Sequence, residues 1–182
     1  MRKNILLFGA ISGLIVTTNL VVMMTKCNNN PEFESNDVLG YAAFIVAFSF
    51  IFFGIKNFRD KHNNGVITFG RAFKIGFLMA VVAATMYVVI GITYYYVFIP
   101  GFFDQYIQHE LYMAKLKGLS EGEIAEKAKQ LAEFKELHKN PLFVVFISYA
   151  EVLPTATVIA LISALILKRK AGLEAAAENQ PG

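Results

Sequence analysis

Long apolar runs alternate with shorter polar segments along the chain, and the runs predict the elements of the fold. Four runs stand out, at residues 4–24, 38–55, 75–100 and 142–167. A helix crosses the hydrocarbon core of a bilayer with about 20 apolar residues, within a range of roughly 17–25. The runs lack the regular polar stripe that a helix of a soluble bundle carries. Each is therefore predicted to be a transmembrane helix, because a helix satisfies its own backbone hydrogen bonds in lipid.

Basic residues flank these runs asymmetrically, and short loops rich in Lys and Arg stay in the cytoplasm. Arg2 and Lys3 precede the first run, and residues 168–170 follow the last. The basic residues between the second and third runs are Lys56, Arg59, Lys61, Arg71 and Lys74. All of them fall on one side of a four-span threading, which predicts a multi-pass protein of the bacterial inner membrane with both termini in the cytoplasm. Residues 1–170 would form the membrane domain, and residues 171–182 a flexible cytoplasmic tail.

The segment 101–140 is too polar to span and lies on the outer side in this topology. Its first apolar stripe recurs every four residues, at Phe103, Ile107 and Leu111, and a second stripe contains Ile124, Ala128, Leu131 and Phe134. Gly118 separates the stripes, Ser120 and Glu123 have the spacing of a capping box, and Glu123 and Lys127 that of an i,i+4 ion pair. We expect an extracytoplasmic amphipathic helical hairpin. It would serve as a connector lying on the lipid or the span ends, or alternatively as a docking surface.

Small residues at four-residue spacing suggest how the spans associate. Helices in lipid approach each other most closely where their side chains are small. The candidate packing positions are Gly9, Gly13, Gly76, Ala80, Ala84, Ala156, Ala160 and Ala164. They predict an all-α four-helix bundle, although the same faces are equally suited to a homo-oligomer.

Glu151 is the one charged residue inside the four runs, near the middle of the last. An ionised carboxylate at that depth costs about 2.5–3.5 kcal/mol on insertion scales, so it marks a functional candidate. Ser148 and Thr155 share its helix face, and Pro154 removes a backbone hydrogen bond nearby. Possible hydrogen-bonding partners on other spans are Asn19, Ser49, Thr85 and Tyr87, with Asn19 at a matching depth. Glu151 either binds a cation or proton or is a buried structural hydrogen-bonding partner.

The composition and the spacing of Cys and His residues limit which other functional sites the chain can contain. The chain is 55% apolar and 17% charged, which excludes a disordered chain and disfavours a soluble enzyme domain. A single cysteine excludes an intramolecular disulfide and a multi-cysteine zinc site. The histidines have no metal-ligand spacing and are expected to be solvated: His62, His109 and His138. No metal and no cofactor are predicted, and the basic loop is better explained by topology and anionic lipid than by nucleic acid.

Several segments carry a family resemblance. The sequence GIKNFRDK at 54–61 is followed by GVITFGRAFKIG at 65–76, and later by NPL at 140–142, EVLP at 151–154 and KRK at 168–170. This pattern resembles the bacterial membrane-protein family called domain of unknown function 4199, over nearly the whole chain apart from the tail. The resemblance implies a four-span inner-membrane protein and supplies no activity or functional residues.

These observations leave two main functional hypotheses. The first is a non-enzymatic membrane component acting through contacts with lipid and with a second copy or an unidentified membrane partner. The alternative is a small transporter or channel subunit that uses Glu151 to bind a proton or cation. A membrane enzyme comes third, and it would require a polar cavity reaching Glu151.

Overall fold

A computed structural model describes residues 1–30, 32–33 and 37–169; the predicted tail 171–182 lies outside them. The described residues form helices and no β-strand, which confirms the all-α fold class. The helices are α1 (Arg2–Asn29), α2 (Asp37–His62), α3 (Phe69–Thr93), α4 (Phe102–Leu116), α5 (Glu121–Leu137) and α6 (Pro141–Leu167). A π-helical turn, Tyr94–Phe98, continues α3.

Four helices are long and apolar enough to cross a membrane, as the four runs predict. They occupy Arg2–Asn29, Ala42–His62, Phe69–Phe98 and Pro141–Leu167. The first three extend beyond the apolar runs, because a helix needs backbone hydrogen bonds rather than apolar side chains to continue. The predicted basic loop is corrected accordingly. Lys56, Arg59 and Lys61 lie on the end of α2, and Arg71 and Lys74 on the start of α3, so the connection itself spans only residues 63–68.

The four long helices form a ring in which α1 contacts α2 and α3, and α6 contacts α3 and α2. The α1–α3 pair is parallel, and α3 and α6 are antiparallel. One end of the bundle, here the loop end, holds the α2–α3 connection and the last residues of α6. The opposite end, here the hairpin end, carries α4 and α5.

The eight candidate packing residues, which lie on α1, α3 and α6, are all buried. A Cβ atom on Gly9 would lie 2.8 Å from the Cβ of Val82 and 3.0 Å from the carbonyl oxygen of Met79. A Cβ on Gly76 would lie 3.1 Å from the Cβ of Ala160. Gly9, Gly76 and Ala160 are therefore covered by the chain's own helices.

The loop end is fastened to the end of α6. Ile67 and Arg169 exchange two backbone hydrogen bonds of 3.0 and 2.9 Å. Arg59 donates to the carbonyl oxygen of Leu167 at 3.4 Å. The connection turns through Gly65, whose φ of +75° lies in the left-handed region that glycine adopts without strain. These contacts hold the ends of α2, α3 and α6 together.

The α4–α5 segment is an antiparallel hairpin, since Lys127 pairs with Glu110 at 2.7 Å and Lys135 pairs with Asp104. The capping box at Ser120 and Glu123 is present. The predicted Glu123–Lys127 ion pair is wrong. Glu123 turns back to accept hydrogen bonds from Ser120, and Lys127 reaches across to α4 instead.

Replacing Gly9 by alanine should destabilise the bundle, by about 1–3 kcal/mol, because the new methyl group overpacks the α1–α3 interface. Gly40→Ala is the matched control, since a Cβ at Gly40 meets nothing within 4 Å. Thermal unfolding in mild detergent measures both. Equal stability of the two variants would contradict the close α1–α3 packing.

The α5 capping box should weaken in acid. Hydrogen bonds from Ser120 lower the pKa of Glu123, so its stabilising effect is complete above the unfolded pKa of about 4.3 and is lost as pH falls through the lower folded value. The protection factors of the amides at the start of α5, which correct the exchange rates for their intrinsic pH dependence, should therefore be lower at pH 3 than at neutral pH. Glu123→Gln should remove this pH dependence, and an unchanged dependence in the variant would argue against the assignment.

Candidate functional site

The candidate site lies between α3 and α6, on the hairpin-end side of their small packing residues. Their antiparallel register brings Tyr87 on α3 opposite Glu151 on α6, and the Tyr87 hydroxyl donates to Oε2 of Glu151 at 3.1 Å. Tyr87 is buried, whereas Glu151 keeps an exposed flank. The carboxylate is thus held by one hydrogen bond and is still accessible.

A partly open cavity of about 230 Å³ lies above this pair, towards the hairpin end. The polar side chains in its lining are Glu151, Tyr87, Tyr95, Ser148 and His138. The remaining lining is apolar: Leu20, Met24, Gly91, Ile92, Phe102, Phe103, Phe134, Val144 and Ile147. The cavity therefore combines a carboxylate with apolar and aromatic walls.

The hairpin supplies the roof of this cavity. The His138 ring lies 4.7 Å from the Phe103 ring and 4.2 Å from the Phe134 ring, centroid to centroid. Its Nδ1 lies 2.9 Å from the carbonyl oxygen of Phe134, and the Tyr96 hydroxyl donates to the carbonyl oxygen of His138 at 3.0 Å. The roof is therefore an aromatic cluster tied to the π-helical turn of α3.

The π-helical turn is also tied to α1. Thr25 donates its hydroxyl hydrogen to the carbonyl oxygen of Val21 at 2.6 Å. The 2.6 Å bond between Thr25 and Tyr94 must then be donated by the tyrosine. This bond fixes the α1 side of the cavity, where Leu20 and Met24 contribute to the lining.

A second cavity, of about 180 Å³, lies beneath α4 on the other side of Met24 and Phe102. Tyr106 forms part of its wall. Burial raises the pKa of Tyr106 to about 12, with the nearby carboxylate of Glu110 as a further cause. The Tyr106 hydroxyl therefore stays protonated at neutral pH, and Glu110 is already paired with Lys127.

Residues 7–169 match the family model described as "Protein of unknown function (DUF4199)". The chain belongs to the DUF4199 family. Searches of curated proteins and of solved structures found no match. The DUF4199 match covers every element that contributes to the cavity, and it confirms the resemblance seen in the sequence without adding an activity.

The structure unites only part of the predicted polar site. Ser148 and Glu151 line the cavity of this DUF4199 protein, but Asn19, Pro154 and Thr155 do not. Pro154 and Thr155 are exposed one turn closer to the loop end, and α6 continues through the proline without a break. Among the four possible partners of Glu151, Tyr87 makes the bond rather than Asn19.

Other assignments from the sequence need correction. His138 lies inside the aromatic roof and His109 is buried in α4, so neither is a solvated histidine, whereas His62 is exposed. Within the described residues, no group of three His, Cys, Asp or Glu side chains is arranged to hold a metal ion.

Periodicity predicts a hairpin that lies on lipid or on the span ends, but it does not by itself predict the cavity that the hairpin covers. Phe103 and Phe134 belong to the two predicted stripes, so periodicity alone marked the right faces. The aromatic residues at these two stripe positions were the available signal. Large rings are well suited to filling space over the ends of helices.

Tyr87→Phe should destabilise the protein by about 1–2 kcal/mol, the range for polar contacts between membrane helices in model peptides. Tyr149→Phe is the matched comparison on the same helix pair. Thr85 donates to the carbonyl oxygen of Val81, so Tyr149 is the donor in its exposed 2.9 Å bond with Thr85. Thermal unfolding in detergent measures both. A smaller loss for Tyr87→Phe than for Tyr149→Phe would contradict a structural role for the Glu151 bond.

Proposed function

We propose that this protein is a non-enzymatic component of the bacterial inner membrane that acts by binding a small ligand at the hairpin end of its bundle. The observation that carries the proposal is the cavity of about 230 Å³, in which an accessible carboxylate meets aromatic walls. Ligand sites are typically concave and mostly apolar, with few polar groups that orient the ligand. The cavity has this character.

Residues exposed along the four long helices support membrane insertion. They are large and apolar on every helix, including Leu6, Leu14, Ile45, Phe53, Val89, Phe146, Val158 and Ile166. Contiguous apolar surface of this kind is rare on soluble monomers. A lipid bilayer is therefore the partner proposed for the outer surface of the bundle.

Charge supports an orientation with both termini and the loop end in the cytoplasm. Arg2, Lys3 and the basic residues at the ends of α2 and α3 all lie at that end. Aromatic residues of the π-helical turn, such as Tyr94 and Tyr96, lie at the other, as expected near a membrane interface. This orientation places the cavity on the extracytoplasmic side.

Packing favours binding over conduction. From Glu151 towards the loop end, the interface of α3 and α6 is closed by fully buried residues, namely Val152, Ala156, Ala160, Ala80 and Ala84. Apart from Tyr87, the buried polar residues described in the long helices are Asn4, Ser12, Thr17 and Ser163, none of which is ionisable in the physiological range. Proton and ion pathways commonly use several ionisable groups. The transporter alternative therefore has less support than a binding role.

The orientation can be tested by single-cysteine labelling in a Cys27→Ser background. A membrane-impermeant maleimide added to spheroplasts should label Glu126→Cys, on the exposed face of α5, and leave Lys61→Cys unlabelled until the membrane is opened. The reverse pattern would place the hairpin in the cytoplasm and overturn the proposed orientation.

Binding can be tested by thermal stabilisation of the purified protein with octanol, octylamine and octanoate. At least one of these probes should raise the Tm of the wild type and lose its effect in Ser148→Leu, where the larger side chain occupies part of the cavity. Thr155→Leu is the matched control, since Thr155 lies on the same helix outside the lining. No stabilisation by any probe would contradict a ligand-binding role.

A further inference from the structure

The chemistry of the lining selects among ligand classes. Glu151 is the only acidic side chain among the lining residues, and no Lys or Arg accompanies it. Tyr87 donates to one carboxylate oxygen, Oε2, and within the described residues no hydrogen bond reaches the other. A carboxylate has about four acceptor positions, so most of its capacity is still available to a donor.

The hairpin lysines that form ion pairs bind carboxylates other than Glu151. Lys127 pairs with Glu110, Lys135 with Asp104, and Lys139 with Glu136, so each is neutralised at the surface of α4 or α5. The His138 ring in the lining places its Nδ1 2.9 Å from the carbonyl oxygen of Phe134, and Glu151 is the acidic group that gives the cavity its negative charge. An anionic group entering it would be repelled, and a cationic group would gain a partner.

Aromatic walls add to the attraction for a cation. Rings from three elements line the cavity: Tyr95, Phe102, Phe103 and Phe134. The face of an aromatic ring attracts an ammonium group within about 6 Å of its centroid. The same rings and the aliphatic lining also accept a hydrocarbon chain.

Size and position limit the shape of the ligand. A cavity of about 230 Å³ is smaller than the roughly 300–1,000 Å³ typical of sites that enclose a drug-sized molecule. It is partly open, and large apolar residues such as Phe146 and Val89 are exposed on the same helices, α6 and α3. A polar head and the first carbons of a chain fit inside, and the rest of the chain has apolar surface to follow.

We propose that this cavity binds the ammonium group of an amphiphile, with Glu151 as its counter-ion and the hydrocarbon chain extending along the apolar bundle. The proposal rests on the ligand-binding function given above and names its ligand class. Glu151 contacts the ligand, whereas Tyr87 positions the carboxylate through its hydrogen bond.

The test compares octylamine with octanol and octanoate by their effect on the Tm of the purified protein. Octylamine should bind wild type roughly 10- to 100-fold more tightly than octanol, the range expected for a hydrogen bond to a charged group, and octanoate should bind most weakly. Equal binding of octanol and octylamine by the wild type would overturn the charge assignment and leave the binding function intact. This comparison requires no variant to fold.

Two variants test whether Glu151 causes the preference for octylamine over octanol. Glu151→Gln should reduce the preference for octylamine over octanol to less than about threefold, while Glu133→Gln, on an exposed position of α5, should preserve it. A preference retained in folded Glu151→Gln would overturn the proposal.

Repeating the titration in nanodiscs identifies the source of the ammonium group. Competition by phosphatidylethanolamine but not phosphatidylglycerol indicates a lipid headgroup, and no competition by either indicates a free amine.

Discussion

Close approach of α3 to its two neighbours is the constraint on which the rest of the structure depends. Gly9 and Gly13 let α1 lie against α3, and Gly76 meets Ala160 of α6 with little space between them. In lipid, where apolar burial gives no net drive to association, this contact of small residues supplies the van der Waals energy for packing. It also fixes the register of each pair, because the small residues interlock only when they face one another.

The register in turn positions the polar pair. With Gly76 opposite Ala160, an antiparallel pairing brings Tyr87 level with Glu151 a few turns further along. The four-residue series of small residues ends near Ala84 and Ala156, and the cavity begins beyond them, where Tyr87, Val144 and Ile147 contribute to its lining. The interface of α3 and α6 is thus closed on the loop-end side of Glu151 and opens into the cavity on its hairpin-end side.

Local patterns in the sequence predict much of this architecture. Contacts between residues far apart in the sequence are harder to predict from such patterns. Hydropathy identified four long helices but underestimated α1, α2 and α3, since it detects the lipid-compatible stretch and not the polar turns that extend it. Spacing identified the packing faces and the α5 capping box. Glu151 was marked by its depth, but its partner was one of four candidates, and depth favoured Asn19 over Tyr87. Only the rotation of α3 about its axis, set by packing with α1 and α6, distinguishes them.

The hairpin shows why surface elements are harder to place than core helices. Its stripes fit a lipid surface or a protein surface equally well, because amphipathic periodicity reports an apolar neighbour without identifying it. The structure places Phe103, Phe134 and His138 over the cavity, where their rings cover the ends of α3 and α6. These rings are held by side-chain contacts and by two hydrogen bonds to backbone carbonyl oxygens, those of Phe134 and His138. Its removal would open the cavity without breaking the α1–α3 or α3–α6 interfaces. The structure thus separates a rigid element, which sets the position of the carboxylate, from a cover that limits access to it.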